Sequence, residues 1–123
     1  MTDFAAVVDR YLAAWNEPDA EARGRAVREL WTEDGTYTDP LAEVAGHDGI
    51  AAVIAGAREM FPGLVFRARG AVDGHHDLVR FGWELVAPSG GESIVEGFDV
   101  ATLTAEGRIR AVHGFLDKVP AGA

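Results

Sequence analysis

The sequence predicts a single α+β domain in which three N-terminal helices pack on a curved antiparallel sheet. Apolar residues recur with the 3.6-residue period of a helix in the first half of the chain, and with the two-residue period of a strand in the second half. The breaks between the later runs are short and carry turn residues, which is typical of antiparallel neighbours. The length of 123 residues suits one domain.

Bulk composition argues against several classes of protein. The chain has no cysteine, so neither disulfides nor thiolate chemistry are expected. A net charge of −9 with scattered basic residues argues against nucleic acid or an anionic membrane as partner. Apolar stretches are far shorter than the roughly 20 residues of a membrane span. The start at Met1 lacks the pattern of a signal peptide, so a cytoplasmic location is expected.

Three segments have the pattern of helices that bury one face. The first runs from Phe4 to Trp15, the second follows a capping Asp19, and the third starts near His47 and ends before Pro62. These signals predict three helices before the four strand-like runs of the second half begin.

The remaining segments are predicted as strands and connections. Glu33–Gly35 is expected to form a turn, Thr36–Thr38 a short strand and Leu41–Gly46 a loop. Asp73-Gly74 is expected to form the first hairpin turn. Four strand-like runs follow the third helix, at Leu64–Val72, Leu78–Ala87, Ser93–Thr104 and Arg108–Val119.

Asp99 is a candidate functional residue because it lies in the middle of an apolar strand face. If Phe81 and Trp83 of the preceding run lie beside it, its carboxyl group faces an aromatic cavity. A buried, unpaired carboxylate costs several kcal/mol, so such a group usually takes a proton or finds a partner. A structural aspartate bonded to the backbone or to Arg110 explains the same pattern.

Two other side chains carry weaker signals. Asp39 lies between Thr38 and Pro40, where an aspartate can simply form a turn. Tyr11 lies on the buried stripe of the first helix, and its hydroxyl group needs a partner there. An ordinary core tyrosine is the alternative interpretation of Tyr11.

Taken together, these positions match a known family. The likeness is carried by Arg10–Leu12 with Trp15, by Leu30–Asp34 through Tyr37–Pro40, by Gly46 and Ile50, and by Phe98–Val100 through Glu106–Ile109. Over nearly its whole length the chain resembles the nuclear transport factor 2-like superfamily, in particular its SnoaL-like and ketosteroid isomerase-like enzymes. The resemblance implies one domain over residues 1–123 with a cone-shaped, cystatin-like α+β roll and a pocket between helices and sheet.

The resemblance also implies roles for the three candidates. Tyr11 falls at the oxyanion-binding tyrosine, Asp39 at the general base and Asp99 at a protonated aspartic acid. Such a site shuttles a proton on an enolisable carbonyl or polyketide-like compound and needs neither metal nor organic cofactor. The other residues expected in the pocket are Trp15, Trp31, Tyr37, Ile54, Phe81, Trp83, Val112, Gly114 and Leu116.

The chain departs from the isomerase pattern at two places. Trp31 and Ile54 stand where some isomerases carry supporting tyrosines, which reduces the hydroxyl network to Tyr11 and Asp99 unless Tyr37 substitutes. A limonene-epoxide-hydrolase-like activity is disfavoured because Gly97 stands where that group places an arginine.

Other functions remain open at this level. A SnoaL-like cyclase would pair Asp99 with a histidine, although His113 is expected on the opposite sheet face. Scattered histidines argue against a metal site. A binding or dimerisation module would use the same apolar pocket. Asp39 distinguishes the two functions, because a proton shuttle needs its carboxylate aimed into the cavity and a binding module does not. The apolar outer face predicts a homodimer through Ile94, Phe98, Val100 and Phe115.

Overall fold

Residues 2–120 of the computed structural model form three helices and one six-stranded sheet. The helices are α1 (Phe4–Asn16), α2 (Ala20–Leu30) and α3 (His47–Met60). The strands are β1 (Trp31–Asp39), β2 (Ala42–Ala45), β3 (Val65–His75), β4 (Leu78–Val86), β5 (Val95–Leu103) and β6 (Ile109–Lys118). The predicted α+β class with three helices is therefore confirmed.

Local capping explains where the helices begin. The Asp3 carboxylate accepts a hydrogen bond from the Ala6 amide at 3.0 Å, and the Asp19 carboxylate accepts one from the Ala22 amide at 2.8 Å. Each bond satisfies an amide that has no partner within its helix. The third helix has no side-chain cap; it follows Gly46, whose φ of 85° lies in the region that favours glycine.

The sheet is mixed, which corrects the prediction of an antiparallel sheet. Its strand order is β2-β1-β6-β5-β4-β3. All neighbours are antiparallel except β1 and β6, which run parallel with Tyr37 opposite Val112. Parallel neighbours need a long connection, and here β2, α3 and the β3–β5 meander provide it. Short-range turn signals do not report such a pairing.

Two connections were predicted wrongly in the first half of the chain. Glu33–Gly35 lies inside β1, at the register shift between Trp31 and Thr36. The predicted loop Leu41–Gly46 contains β2, which folds back antiparallel to β1. The chain reverses at Pro40 and Leu41, so a turn of two residues replaces the longer loop.

The first hairpin turn also lies further along than predicted. Asp73-Gly74 belongs to β3, which continues to His75 and carries a register shift after Arg69. The chain turns instead at His76, whose φ is 52°. A Cβ at Gly74 would come within 2.6 Å of the Phe4 ring, so this glycine accommodates the start of α1.

The helices cover the inner face of the sheet, and one core joins the two layers. Along β5 every second residue from Val95 to Leu103 is buried, as the alternation predicted. Buried residues of α1, α2 and α3, such as Tyr11, Leu30 and Ile54, pack against this face. Within residues 2–120, no helix has both the length and the apolar content to cross a bilayer.

Candidate active site

Asp99 and Tyr11 form a buried pair between sheet and helix. The Tyr11 hydroxyl donates a hydrogen bond of 2.7 Å to Asp99 Oδ2. Tyr11 is 3% exposed and Asp99 is 2% exposed. The two side chains come into contact because Tyr11 lies on the buried stripe of α1 and Asp99 lies on the buried face of β5, which packs against it. The partner of the buried carboxyl group is thus a phenol, and Arg110 is exposed.

Burial controls the ionisation of both groups. Burial raises the pKa of Asp99 to about 6, although the hydrogen bond from Tyr11 and the nearby Trp83 indole lower it. Burial also raises the pKa of Tyr11 well above its usual value near 10. Tyr11 therefore keeps its proton and remains a donor at neutral pH, whereas Asp99 exchanges its proton close to neutrality.

Asp99 should make the unfolding free energy fall as the pH rises from about 4 to 6. Its pKa is about 6 in the folded protein against 3.8 for a free aspartate, so the unfolded chain releases the proton first. Stability present below pH 4 is then lost as the pH passes 6, by roughly 3 kcal/mol. Urea titrations of the wild type and of Asp99→Asn at matched pH isolate this contribution. A difference between the two proteins that stays constant across this range would contradict the assignment.

The two carboxylate oxygens of Asp39 accept hydrogen bonds from different groups. Its Oδ1 accepts hydrogen bonds from the amides of Leu41 at 2.8 Å and Ala42 at 2.9 Å, which fixes the reversal between β1 and β2. Its Oδ2 accepts a 2.8 Å hydrogen bond from the Tyr37 hydroxyl. Tyr37 is buried, and burial raises the pKa of its hydroxyl group. Asp39 is therefore a turn former and also a member of a polar cluster.

Gly114 lies between the side chains of Asp99 and Asp39. A Cβ at this position would lie 2.8 Å from Asp99 Oδ1 and 3.4 Å from the Asp39 Cβ. The two carboxyl groups consequently flank one bare position of β6, and the charge of Asp39 contributes to the raised pKa of Asp99. Only a residue without a side chain leaves this space open.

A small cavity adjoins the Tyr11–Asp99 pair. Its volume is about 10 Å³, which is room for about one water-sized group. It is lined by Tyr11, Leu12, Trp15, Tyr37, Phe66, Trp83 and Asp99. The lining is mainly aromatic, with Trp15 centred 5.2 Å from Phe66 and 5.6 Å from Tyr37. Asp39 is not part of the lining and reaches the cavity only through the Tyr37 hydroxyl.

The structure brings some of the predicted pocket residues together and separates others. Of the expected set, Tyr11, Trp15, Tyr37, Trp83 and Asp99 line the cavity. Four others are at most 2% exposed and lie in the core without lining it, namely Trp31, Ile54, Phe81 and Val112. The Tyr11 ring packs against Trp31 at 5.6 Å and Phe81 at 5.2 Å. Three remain: Asp39 and Gly114 also do not line the cavity, and Leu116 is half-buried opposite Gly97.

Two lining residues were missed from the sequence. Leu12 follows Tyr11 on the same buried stripe, so helical periodicity already marked it as inward-facing. Phe66 pairs with Leu85 on β4, and only the strand register reveals that it faces the cavity.

The histidines lie away from this cavity. His113 is exposed opposite Val100, on the sheet face turned away from the helices, as predicted. His47 begins α3, and its Nε2 lies 3.0 Å from the Trp31 carbonyl oxygen. Among residues 2–120 no three histidine or carboxylate side chains cluster as metal ligands would.

The fold and the site together define a class of protein: a small α+β domain with a tyrosine–aspartate pair buried between three helices and a six-stranded sheet. The sequence profile of the SnoaL-like domain matches residues 8–112, and the chain belongs to this family. Among curated proteins, no sequence matches the chain significantly.

Solved structures agree with the family. A proposed isomerase of the SnoaL-like family from Agrobacterium tumefaciens str. C58 is 46% identical, with a TM-score of 0.88 over 96% of this chain and 100% of that one. A proposed SnoaL-like polyketide cyclase from Jannaschia sp. CCS1 is 21% identical, with a TM-score of 0.71 over 95% and 90%. A SnoaL-like protein from Burkholderia thailandensis E264 is 16% identical, with a TM-score of 0.73 over 96% and 99%. The latter two support the fold alone.

Proposed function

We propose that the protein is a small-molecule acid–base enzyme, a ketosteroid isomerase-like proton shuttle that acts on an enolisable carbonyl or polyketide-like compound. The observation that carries this proposal is the buried Tyr11–Asp99 hydrogen bond beside a cavity of about 10 Å³. Such a cavity admits one oxygen atom of a substrate, with the rest of the molecule at the half-buried Phe66 and Trp83.

In the proposed step, Tyr11 and Asp99 stabilise the oxygen at which negative charge develops. Tyr11 would turn its hydroxyl hydrogen, which it donates to Asp99 in the structure, toward the substrate oxygen, and burial keeps this hydroxyl group protonated. Asp99 donates only in its neutral form, which prevails below its pKa of about 6. Donors fixed in a site of low polarity stabilise an enolate more strongly than water does, because they need no reorganisation.

Asp39 is the proposed base. Its carboxylate would take a proton from the carbon next to the carbonyl group and return it to the γ-carbon, so the substrate is isomerised without net loss of atoms or electrons. The turn amides occupy Oδ1, which assigns the proton transfer to Oδ2. Tyr37 donates to Oδ2 and would hold it in place between turnovers.

The proposal is tested with the β,γ-unsaturated isomer of cyclohexenone. Conjugation of the product is followed by ultraviolet absorbance, and the expected result is saturable turnover that declines as the pH rises through about 6, where Asp99 loses its proton. Asp99→Asn should lose this decline, because the amide donates at every pH. Absence of turnover, together with absence of binding of a phenol that mimics the enolate, would exclude the proton shuttle.

A second candidate is an apolar-ligand-binding module without catalysis. Two observations favour it: Asp39 does not line the cavity, contrary to what distinguishes a catalyst, and three donors already satisfy its carboxylate, from Tyr37, Leu41 and Ala42. A carboxylate held in this way stabilises a turn whether or not it moves a proton. Saturable binding of the ketone without conversion would favour this candidate.

We also propose that two copies of the chain associate through the outer sheet face. Phe115 is 60% exposed and Ile94 is 38% exposed, with the half-buried Phe98 opposite Phe115. The pair formed by Arg69 and Glu96 lies beside this apolar centre, which resembles the anatomy of an interface. Size-exclusion chromatography should give a dimer for the wild type and a monomer for Phe115→Glu. A wild-type monomer at micromolar concentration would contradict the proposal.

A further inference from the structure

Trp15 carries a buried hydrogen-bond donor that has no acceptor among the described residues. The side chain is 6% exposed, and its Nε1 has no hydrogen-bond partner in residues 2–120. Buried polar groups are normally paired, and an unpaired donor lowers stability. An unpaired donor in the wall of a cavity is therefore suited to hydrogen-bond a bound ligand.

The position of Trp15 makes the cavity the place for that partner. The indole lines the cavity of about 10 Å³. The indole N–H lies near the Tyr11 hydroxyl group and lowers its pKa slightly against the rise caused by burial. The two groups nevertheless do not form a hydrogen bond. The ring is packed against Phe66 at 5.2 Å and Tyr37 at 5.6 Å, and these contacts limit its rotation.

The two tyrosine hydroxyl groups of the cavity already have acceptors, since Tyr11 donates to Asp99 and Tyr37 donates to Asp39. The Trp83 indole acts on Asp99 and lowers its pKa. The Trp15 indole N–H is thus the buried donor of the cavity lining that has no acceptor within residues 2–120, and it can pair only with an acceptor. The available volume limits the acceptor to one oxygen-sized group.

We propose that Trp15 Nε1 donates a hydrogen bond to the oxygen of a carbonyl or phenolic ligand bound in this cavity, next to the Tyr11–Asp99 pair. The inference deepens the proposed function, on which it rests for the identity of the oxygen, by adding a third donor from α1. Trp15 lies one helical turn after Tyr11, so both donors approach the oxygen from the same face of α1.

The chain contains an internal control for this proposal. Trp31 Nε1 is also buried and unpaired within residues 2–120, but Trp31 does not line the cavity. A bound oxygen should therefore affect the N–H of Trp15 and leave that of Trp31 unchanged.

The experiment uses para-nitrophenol as the probe and para-nitrotoluene as a probe of similar shape without the phenolic oxygen. Indole N–H resonances of the full chain are recorded by ¹⁵N–¹H correlation NMR at about pH 5, below the pKa of Asp99 of about 6. Trp→Phe variants assign the signals. Para-nitrophenol should move the Trp15 signal downfield and leave Trp31 in place, and para-nitrotoluene should produce no downfield shift. Trp15→Phe should weaken para-nitrophenol binding roughly fivefold to tenfold, as expected for one lost neutral hydrogen bond.

The outcomes separate this inference from the proposed function. Ketone turnover with no change at Trp15 on saturation with para-nitrophenol would overturn the inference and leave the proton shuttle intact. A Trp15 shift without ketone turnover would support the oxygen site and count against catalysis. Failure of para-nitrophenol to bind at millimolar concentration, or an equal shift at Trp31, would overturn the inference.

Discussion

Asp39→Asn is expected to reduce kcat for the β,γ-unsaturated ketone roughly 10²- to 10⁴-fold, the range found when a positioned base is removed. The folded structure should survive, because the Asn carbonyl oxygen can still accept the hydrogen bonds from Leu41 and Ala42. The new amide group can donate to the Tyr37 hydroxyl, which reverses the direction of that bond without breaking it. The measurement is steady-state kinetics combined with thermal unfolding of the same preparations.

Asp34→Asn is the matched control for this change. Asp34 lies on the same strand, is exposed, and accepts a hydrogen bond of 3.1 Å from the Thr32 hydroxyl. Its replacement makes the same chemical change away from the cavity and should leave kcat within about twofold. If Asp39→Asn keeps more than a tenth of the activity, or if both variants lose activity equally, Asp39 is not the base.

Trp31→Ala is expected to lower the free energy of unfolding by about 3 to 5 kcal/mol, the usual result for a buried tryptophan. Trp31 is 0% exposed and packs against the Tyr11 ring at 5.6 Å. A Cβ at Gly35 would come within 2.7 Å of the Trp31 ring, so the neighbouring backbone is fitted closely to it. Urea unfolding followed by circular dichroism gives the value directly.

Two further variants keep this prediction testable. Leu41→Ala removes an apolar side chain that is 73% exposed, and it should change stability by less than about 0.5 kcal/mol. If Trp31→Ala does not fold, Trp31→Phe should still fold with a smaller loss. A loss below about 1 kcal/mol for Trp31→Ala would show that Trp31 is not a core residue, and the pocket role predicted from the sequence would regain support.

The helices and the strand faces were predictable because periodicity reports them directly. The apolar stripe located α1, a capping aspartate before a second stripe located α2, and alternation placed Asp99 on the buried face of β5. The pairing of β1 with β6 could not be predicted in this way, because it joins segments far apart in the chain. The strand β2 was missed because Ala42–Ala45 carries no strong strand propensity, and its pairing to β1 alone defines it.

The candidate site was predictable in part. A carboxyl group on an apolar face indicated that Asp99 needs a partner, and the resemblance implied Tyr11 nearby. Nothing in the local sequence indicated that Tyr37 donates to Asp39, because a strand normally sends residues i and i+2 to one face without bringing their polar ends into contact. The size of the cavity was also not predictable, since it depends on how the rings of Trp15, Phe66 and Trp83 fill the space.

The parallel pairing of β1 with β6 has a consequence for how the protein matures. Thr38, next to Asp39, pairs with His113, next to Gly114, so the two halves of the acidic cluster are assembled by a contact of very long range in sequence. Such contacts form late, because the intervening chain must be ordered first. A ribosome-bound chain that still lacks β6 would therefore have its helices before this acidic cluster is assembled, and binding of para-nitrophenol at the candidate site should report completion of folding.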